Sequence, residues 1–259
     1  MSLIALCSVS GAPGVTTTAL ALGWVWPTAH PGRRSLVLDA DAAGSGILTG
    51  CLQGQVPAGY GVLELVGNRR DVGSAELLEH AVALDAGGTR MVLTGIVDPA
   101  QARQLGPLWA RVADAVPELG AEGVDVLADV GRLGHRYEPT ALLERADVVV
   151  VVVRATLHQV SAAAAAITHL RNLRGPSAPC TVLIVDTHPA YTAKEVARAL
   201  DVPAPHVVPD DRRAAAVLSD GGSVGWAFER SALVRAVTTV AGELGPRLDD
   251  ATVTAEVRR

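Results

Sequence analysis

The residues with the most chemistry to offer lie near the start of the chain. Leu3-Ile4-Ala5-Leu6-Cys7-Ser8-Val9 is a short apolar run. Ser10-Gly11-Ala12-Pro13-Gly14-Val15-Thr16-Thr17-Thr18 follows it and leads into Ala19-Leu20-Ala21-Leu22. A strand, a glycine-bearing turn and a helix in that order aim backbone N–H groups and a helix N-terminus at one spot, which suits a phosphate. Gly11 and Gly14 permit close approach and positive φ, so the amides of Ala12, Pro13's neighbours, Val15, Thr16 and Thr17 can converge on phosphate oxygens. The plain alternative is a tight strand-to-helix turn that binds nothing. Two later apolar runs end in acid: Leu36-Val37-Leu38-Asp39-Ala40-Asp41, and Val124-Asp125-Val126-Leu127-Ala128-Asp129 followed by Val130-Gly131. Acidic residues there either do chemistry or close a strand and cap the next turn.

The phosphate loop is incomplete. The motif G-x-x-x-x-G-K-[ST] would need glycine at Val9 and lysine at Val15. The chain holds one lysine, Lys194, against twenty-one arginines. A simple exchange of lysine for arginine would have left arginine in the loop, so the serine and valine found there point to a chemical loss.

These stretches resemble the MinD/ParA family of P-loop ATPases, whose loop reads Lys-Gly-Gly-x-Gly-Lys-Thr-Thr. Gly11, Gly14, Thr16 and Thr17 match it, with Ser10 and Val15 at the two lysine positions. The resemblance implies ATP or ADP with Mg²⁺ as cofactor, Thr16, Asp39 and Asp129 at the metal, and Asp41 positioning the attacking water. It also implies a base site from Asp186, which ends Thr181-Val182-Leu183-Ile184-Val185 where the family has Asn, and from Pro209 and Asp211 in Val207-Val208-Pro209-Asp210-Asp211. Asp186 keeps an acceptor and loses the amide donor. The lysine-poor loop is most similar to that of the CpaE/TadZ-like branch, whose members act as localisation or assembly factors. The family dimerises face to face, and the signature lysine reaches into the partner's site, a reach Ser10 cannot make.

Each charge-assisted contact to a phosphate contributes on the order of 1.5–3 kcal/mol, so losing two weakens nucleotide binding by roughly a hundredfold or more. Phosphoryl transfer relies on positioning and charge neutralisation, and the neutralising residues are the ones missing. The resemblance therefore leads to a homodimeric positioning or scaffolding factor, nucleotide-responsive or inert, with weak or no ATP hydrolysis. One alternative is a competent ATPase switch in which arginines such as Arg132 or Arg136 replace the lysines. Another is a phosphotransferase or ligase similar to dethiobiotin synthetase.

Strand-like stretches alternate with helix-like ones. Strands are expected near 3–9, 35–39, 89–94, 124–129, 147–153, 181–185 and 206–208. Helices are expected near 16–25, 74–84, 99–115, 139–146, 156–173, 192–200 and 228–244. Runs such as Val148 to Val153 are apolar on both faces, the mark of a parallel sheet covered on each side. The expected fold is α/β, a doubly wound, mostly parallel sheet of about seven strands, with ligands at the strands' carboxyl ends. At 259 residues and 49% hydrophobic, one domain over 1–259 suffices, with a surface insertion at 53–73.

The net charge of −5 gives no sign of a protein whose main partner is nucleic acid. Cys7, Cys51 and Cys180 form no C-x-x-C pair. No Lys or Arg precedes Arg33, so the apolar start lacks the basic region of a signal peptide, and a cytoplasmic protein is expected. The tail from Arg247 has mixed charge and few bulky apolar residues, unlike a membrane-docking helix. Seven histidines show no metal spacing.

Overall fold

The computed structural model describes residues 3–10, 14–67, 72–186 and 188–256, with side chains as far as Gly245. Eight strands form one sheet: β1 Leu3–Ser8, β2 Arg34–Asp39, β3 Val82–Ala83, β4 Arg90–Leu93, β5 Val124–Arg132, β6 Val148–Val153, β7 Cys180–Val185 and β8 His206–Val208. Their spatial order is β3-β4-β2-β5-β1-β6-β7-β8. Every neighbouring pair is parallel except β3–β4. The helices are α1 Val15–Ala29, α2 Val62–Val66, α3 Ser74–Glu79, α4 Ala102–Ala121, α5 Thr140–Arg145, α6 Leu157–Arg174, α7 Ala193–Leu200, α8 Arg212–Ser219, α9 Trp226–Glu229 and α10 Ala232–Glu256.

The two faces of the sheet carry separate cores, and β6 shows why a uniformly apolar strand was needed. Val149, Val151 and Val153 join one layer with Leu105 and Trp109 of α4 and Ile167 of α6. Val148, Val150 and Val152 join the other with Leu22 of α1 and Val237 and Leu244 of α10. Side chains alternate across a strand, so a strand between two helix layers must be apolar at every position. Among the described residues no helix is long and apolar enough to cross a membrane.

All seven expected strands are present, and β3 is an addition. The helix expected over 74–84 stops at Glu79 because Asp85-Ala86-Gly87-Gly88 makes a turn. Asp85 accepts hydrogen bonds from Thr89 N (2.8 Å) and the Thr89 hydroxyl, and Leu84 N donates to Arg90 O at 2.8 Å. Those bonds draw Val82–Ala83 into antiparallel pairing with Met91 and Val92. The helix expected over 228–244 divides into α9 and α10 at Ser231, whose hydroxyl accepts from Val234 N at 3.2 Å. Within the stretch 53–73, Val62–Val66 forms the short helix α2, with Val62 and Leu65 fully buried.

Two clips fix the layers. At the amino edge of the sheet, buried Asp125 accepts from Trp26 Nε1 at 2.8 Å and from both Nε and Nη2 of Arg33 at 2.5 Å. On the opposite side, the π-helical turn Ile47–Cys51 sits against the end of α8. Gln53 Nε2 donates there to Asp220 O and Gly221 O at 3.2 and 3.1 Å. A Cβ on Gly50 would lie 2.2 Å from Ser219 O, so the approach requires glycine.

Candidate functional site

The sequence-selected residues gather at the carboxyl ends of the parallel strands. Of the loop, Gly11, Ala12 and Pro13 lie outside the described residues. Gly14 takes φ 98°, a value that favours glycine, and opens α1. Its carbonyl accepts from Thr18 N at 2.9 Å and from the Thr18 hydroxyl at 2.7 Å. The two positions where lysine would stand are turned inward. Ser10 is buried, and its hydroxyl has no partner among the described residues. Val15 is 6% exposed and packs in the apolar layer under α1.

Thr16 and Asp129 meet across the fold: the threonine hydroxyl donates to Asp129 Oδ2 at 2.6 Å. Asp129 Oδ1 accepts from Gly131 N at 3.0 Å. Parallel pairing of β2 with β5 sets Asp39 directly opposite Asp129. Asp39 Oδ2 accepts from the Ser45 hydroxyl at 2.6 Å and from Gly95 N at 3.0 Å. Asp41 is half-buried, accepts from Ala43 N at 2.8 Å, and lies against Gly131, where a Cβ would fall 2.2 Å from Asp41 Cγ. Gly131 itself has φ 69°.

Burial pushes the Asp129 carboxyl up to about 7, helped by the neighbouring charge of Asp39 and opposed by the Thr16 hydrogen bond. Burial likewise raises Asp39 to about 6 against the hydrogen bonds from Ser45 and Gly95. Desolvation thus outweighs hydrogen bonding at both, the condition a bound cation relieves. Among the described residues no set of three or more His, Cys, Asp or Glu is arranged to hold a metal alone. Mg²⁺ keeps waters and takes one or two protein ligands together with substrate phosphates. The Thr16 hydroxyl beside the Asp129 carboxylate fits such an ion.

The base-side residues separate into two groups. Pro209 and Asp211 line a pocket with Gly14 and Thr17 at the start of α1. Asp211 Oδ1 also caps α8, accepting from Ala214 N at 3.1 Å. Asp186 is not in that lining; its Oδ1 accepts from His188 N at 2.9 Å, and Thr187 lies outside the described residues. The sequence reading missed Ser45, Gly95 and Arg154. Arg154 follows the all-valine β6, lines the same pocket, and donates from Nη1 to Asp210 Oδ2 at 3.0 Å. A lone cation closing an apolar strand was the signal that could have found it. Arg132 donates from Nε to Val9 O at 3.2 Å, and Arg136 stacks 5.4 Å over the Tyr137 ring. His135 and His188 are exposed loop residues.

No protein-family model matches the chain, and no curated protein matches it. Solved structures do. A ParA family ATPase from Chlorobium tepidum superposes with a TM-score of 0.76 at 14% identity, over 93% of this chain and 97% of that one. The MinD cell division protein of Aquifex aeolicus gives 0.72 at 17% identity, over 95% and 98%. The septum site-determining protein MinD of Pyrococcus horikoshii, solved with Mg-ADP, gives 0.73 at 16% identity, over 94% and 96%. Over nearly its whole length, the chain has the fold of the ParA and MinD ATPases.

Proposed function

We propose that this protein is a positioning or scaffolding factor of MinD/ParA type that binds adenine nucleotide with Mg²⁺ weakly and hydrolyses it slowly or not at all. One observation carries this reading. The hydroxyl–carboxylate pair Thr16–Asp129 is intact at 2.6 Å, while the two cation positions hold a buried serine and a buried valine. Amides from Gly14 to Thr17 would hold phosphate, and Thr16, Asp129 and, through water, Asp39 would hold the metal. When bound, Mg²⁺ supplies neutralisation of phosphate charge. Asp41 would orient water, and Pro209 and Asp211 would flank the base. Asp186, engaged with its own turn, would contribute through Oδ2 at most.

Structures of similar fold give this reading its ligands and its mode of action. The P. horikoshii MinD carries Mg-ADP, a Cyanothece McdA variant carries ATP, and A. aeolicus MinD forms a complex with MinC. In this reading the chain acts as a homodimer that recruits another protein.

Calorimetric titration with ATP and ADP, with and without Mg²⁺, tests the reading. The expected Kd is on the order of 0.1 mM or weaker. Turnover should not exceed that of an Asp41→Ala variant. Tight binding with fast Mg²⁺-dependent turnover abolished by Asp41→Ala would establish a competent switch instead, and no binding at all would leave an inert scaffold.

A further inference from the structure

We infer that Arg154 is the cation that meets the nucleotide's phosphates in place of the missing lysines, and that Asp210 holds it when no nucleotide is present. The inference rests on the reading that the loop binds nucleotide and names the side chain that makes such binding possible.

Arg154 stands at the carboxyl end of β6, and β6 pairs directly with β1, the strand that feeds the loop. Its side chain lines the pocket that also exposes Gly14 and Thr17 on one wall and Pro209, Asp210 and Asp211 on the other. It is anchored from behind: Arg154 N donates to Gln159 Oε1 at 2.7 Å, within the first turn of α6. Both members of the Arg154–Asp210 pair are largely withdrawn from water, with side chains 33% and 23% exposed. A guanidinium has five N–H donors in a fixed fork and is always charged, so it favours bidentate recognition of phosphate. A half-buried arginine also needs an anionic partner at all times, and exchange of Asp210 for a phosphate keeps the charge paired throughout.

The strand ends and turns around the pocket and loop carry Asp39, Asp41, Asp129, Asp186, Asp210 and Asp211, together with Arg132, Arg154, Arg212 and Arg213. Arg132 donates to Val9 O and Arg212 is exposed beyond Asp210, whereas Arg154 is the arginine in the lining of this pocket, placed to offset the carboxylates against a polyanion. Arg154 approaches from the pocket flank, where the nucleoside would lie, and so reaches the phosphates nearest the nucleoside. ATP and ADP share those phosphates. The chain should therefore bind the two about equally, whereas lysines at positions 10 and 15 would have favoured the triphosphate.

The test is calorimetry on the full chain with ATP, ADP and adenosine, with and without Mg²⁺, for wild type, Arg154→Ala, Arg154→Lys and Asp210→Asn, with a thermal melt of each as a fold control. Wild type should bind ATP and ADP within about threefold of each other. Arg154→Ala should weaken both at least tenfold by equal factors and leave adenosine unchanged, and Arg154→Lys should recover part of the loss. Asp210→Asn removes the competing carboxylate and should tighten both severalfold. If wild type binds nucleotide but Arg154→Ala stays within twofold of it, this inference fails and the functional reading survives. If Asp210→Asn weakens binding as much as Arg154→Ala does, the pair is only a brace and the inference fails again. Should Arg154→Ala not fold, the direction of the Asp210→Asn change decides. Wild type that binds neither nucleotide defeats this inference and the nucleotide-binding part of the functional reading together, leaving an inert scaffold.

Discussion

Asp39 and Asp129 are carboxyls taken out of water, opposite one another on adjacent strands, with no ion pair to either among the described residues. Their folded pKa values, about 6 and about 7, stand above the ordinary 3.8. The folded state therefore holds these protons more tightly than the unfolded chain does. The resulting stability is fully present below about pH 4 and is lost as pH rises through 6 and 7. In EDTA, urea denaturation at pH 5, 6, 7 and 8 should show stability falling over that window. Asp129→Asn should flatten the fall and raise stability at pH 8 by roughly 2 kcal/mol; an unchanged slope would show that Asp129 does not titrate there. Thr16 and Asp129 were legible in the sequence because each sits at a recognisable junction. The two groups that hold Asp39, Ser45 and Gly95, were not. Gly95 reaches Asp39 only because β4 pairs with β2, and no local pattern around Gly95 announces that pairing.

At the scale of elements, the loop after β5 is shaped by Gly131, whose positive φ and contact with Asp41 are separate demands. Gly134, a few residues on, has φ 80° with open space where a Cβ would go. Gly134→Ala should cost about 1 kcal/mol, the strain of the backbone alone. Gly131→Ala should cost about 2–4 kcal/mol, since Asp41 must also move. Chemical denaturation of the two variants separates the terms, and equal losses would mean that the Asp41 contact carries no weight. Element boundaries were readable where the sequence kept one period, as in β6. They were not readable in the stretch from 74 to 84, where helical spacing runs on past His80 but the hairpin bonds of Asp85 win. Nor was α8 legible, because its start is set by Asp211 capping Ala214 N rather than by a long apolar stripe.

Across the whole molecule, the carboxyl ends of the strands hold the buried acids, and the amino edge holds the clamp of Asp125 with Trp26 and Arg33. Asp125→Ala would strand a buried indole N–H and leave a guanidinium without its bidentate partner. A loss of about 3–5 kcal/mol is expected, read as a lower urea midpoint with unchanged m-value. A loss under 1 kcal/mol would show that the clamp does not hold the layers. The layered architecture followed from uniformly apolar strands. The strand order did not, because β1 becomes central only through the crossovers that carry the chain from one side of it to the other.

The turn at Ile47–Cys51 gives the molecule one further property. The segment that leaves Asp41 is riveted by Gly50 and Gln53 to the far end of α8, and the near end of α8 bears Asp211 at the pocket wall. Eight residues of helix make a stiff rod of about 12 Å. One rigid rod thus spans from the pocket wall to the turn that follows the Asp41 loop, so the spacing of those two places is set by a helix rather than by loop.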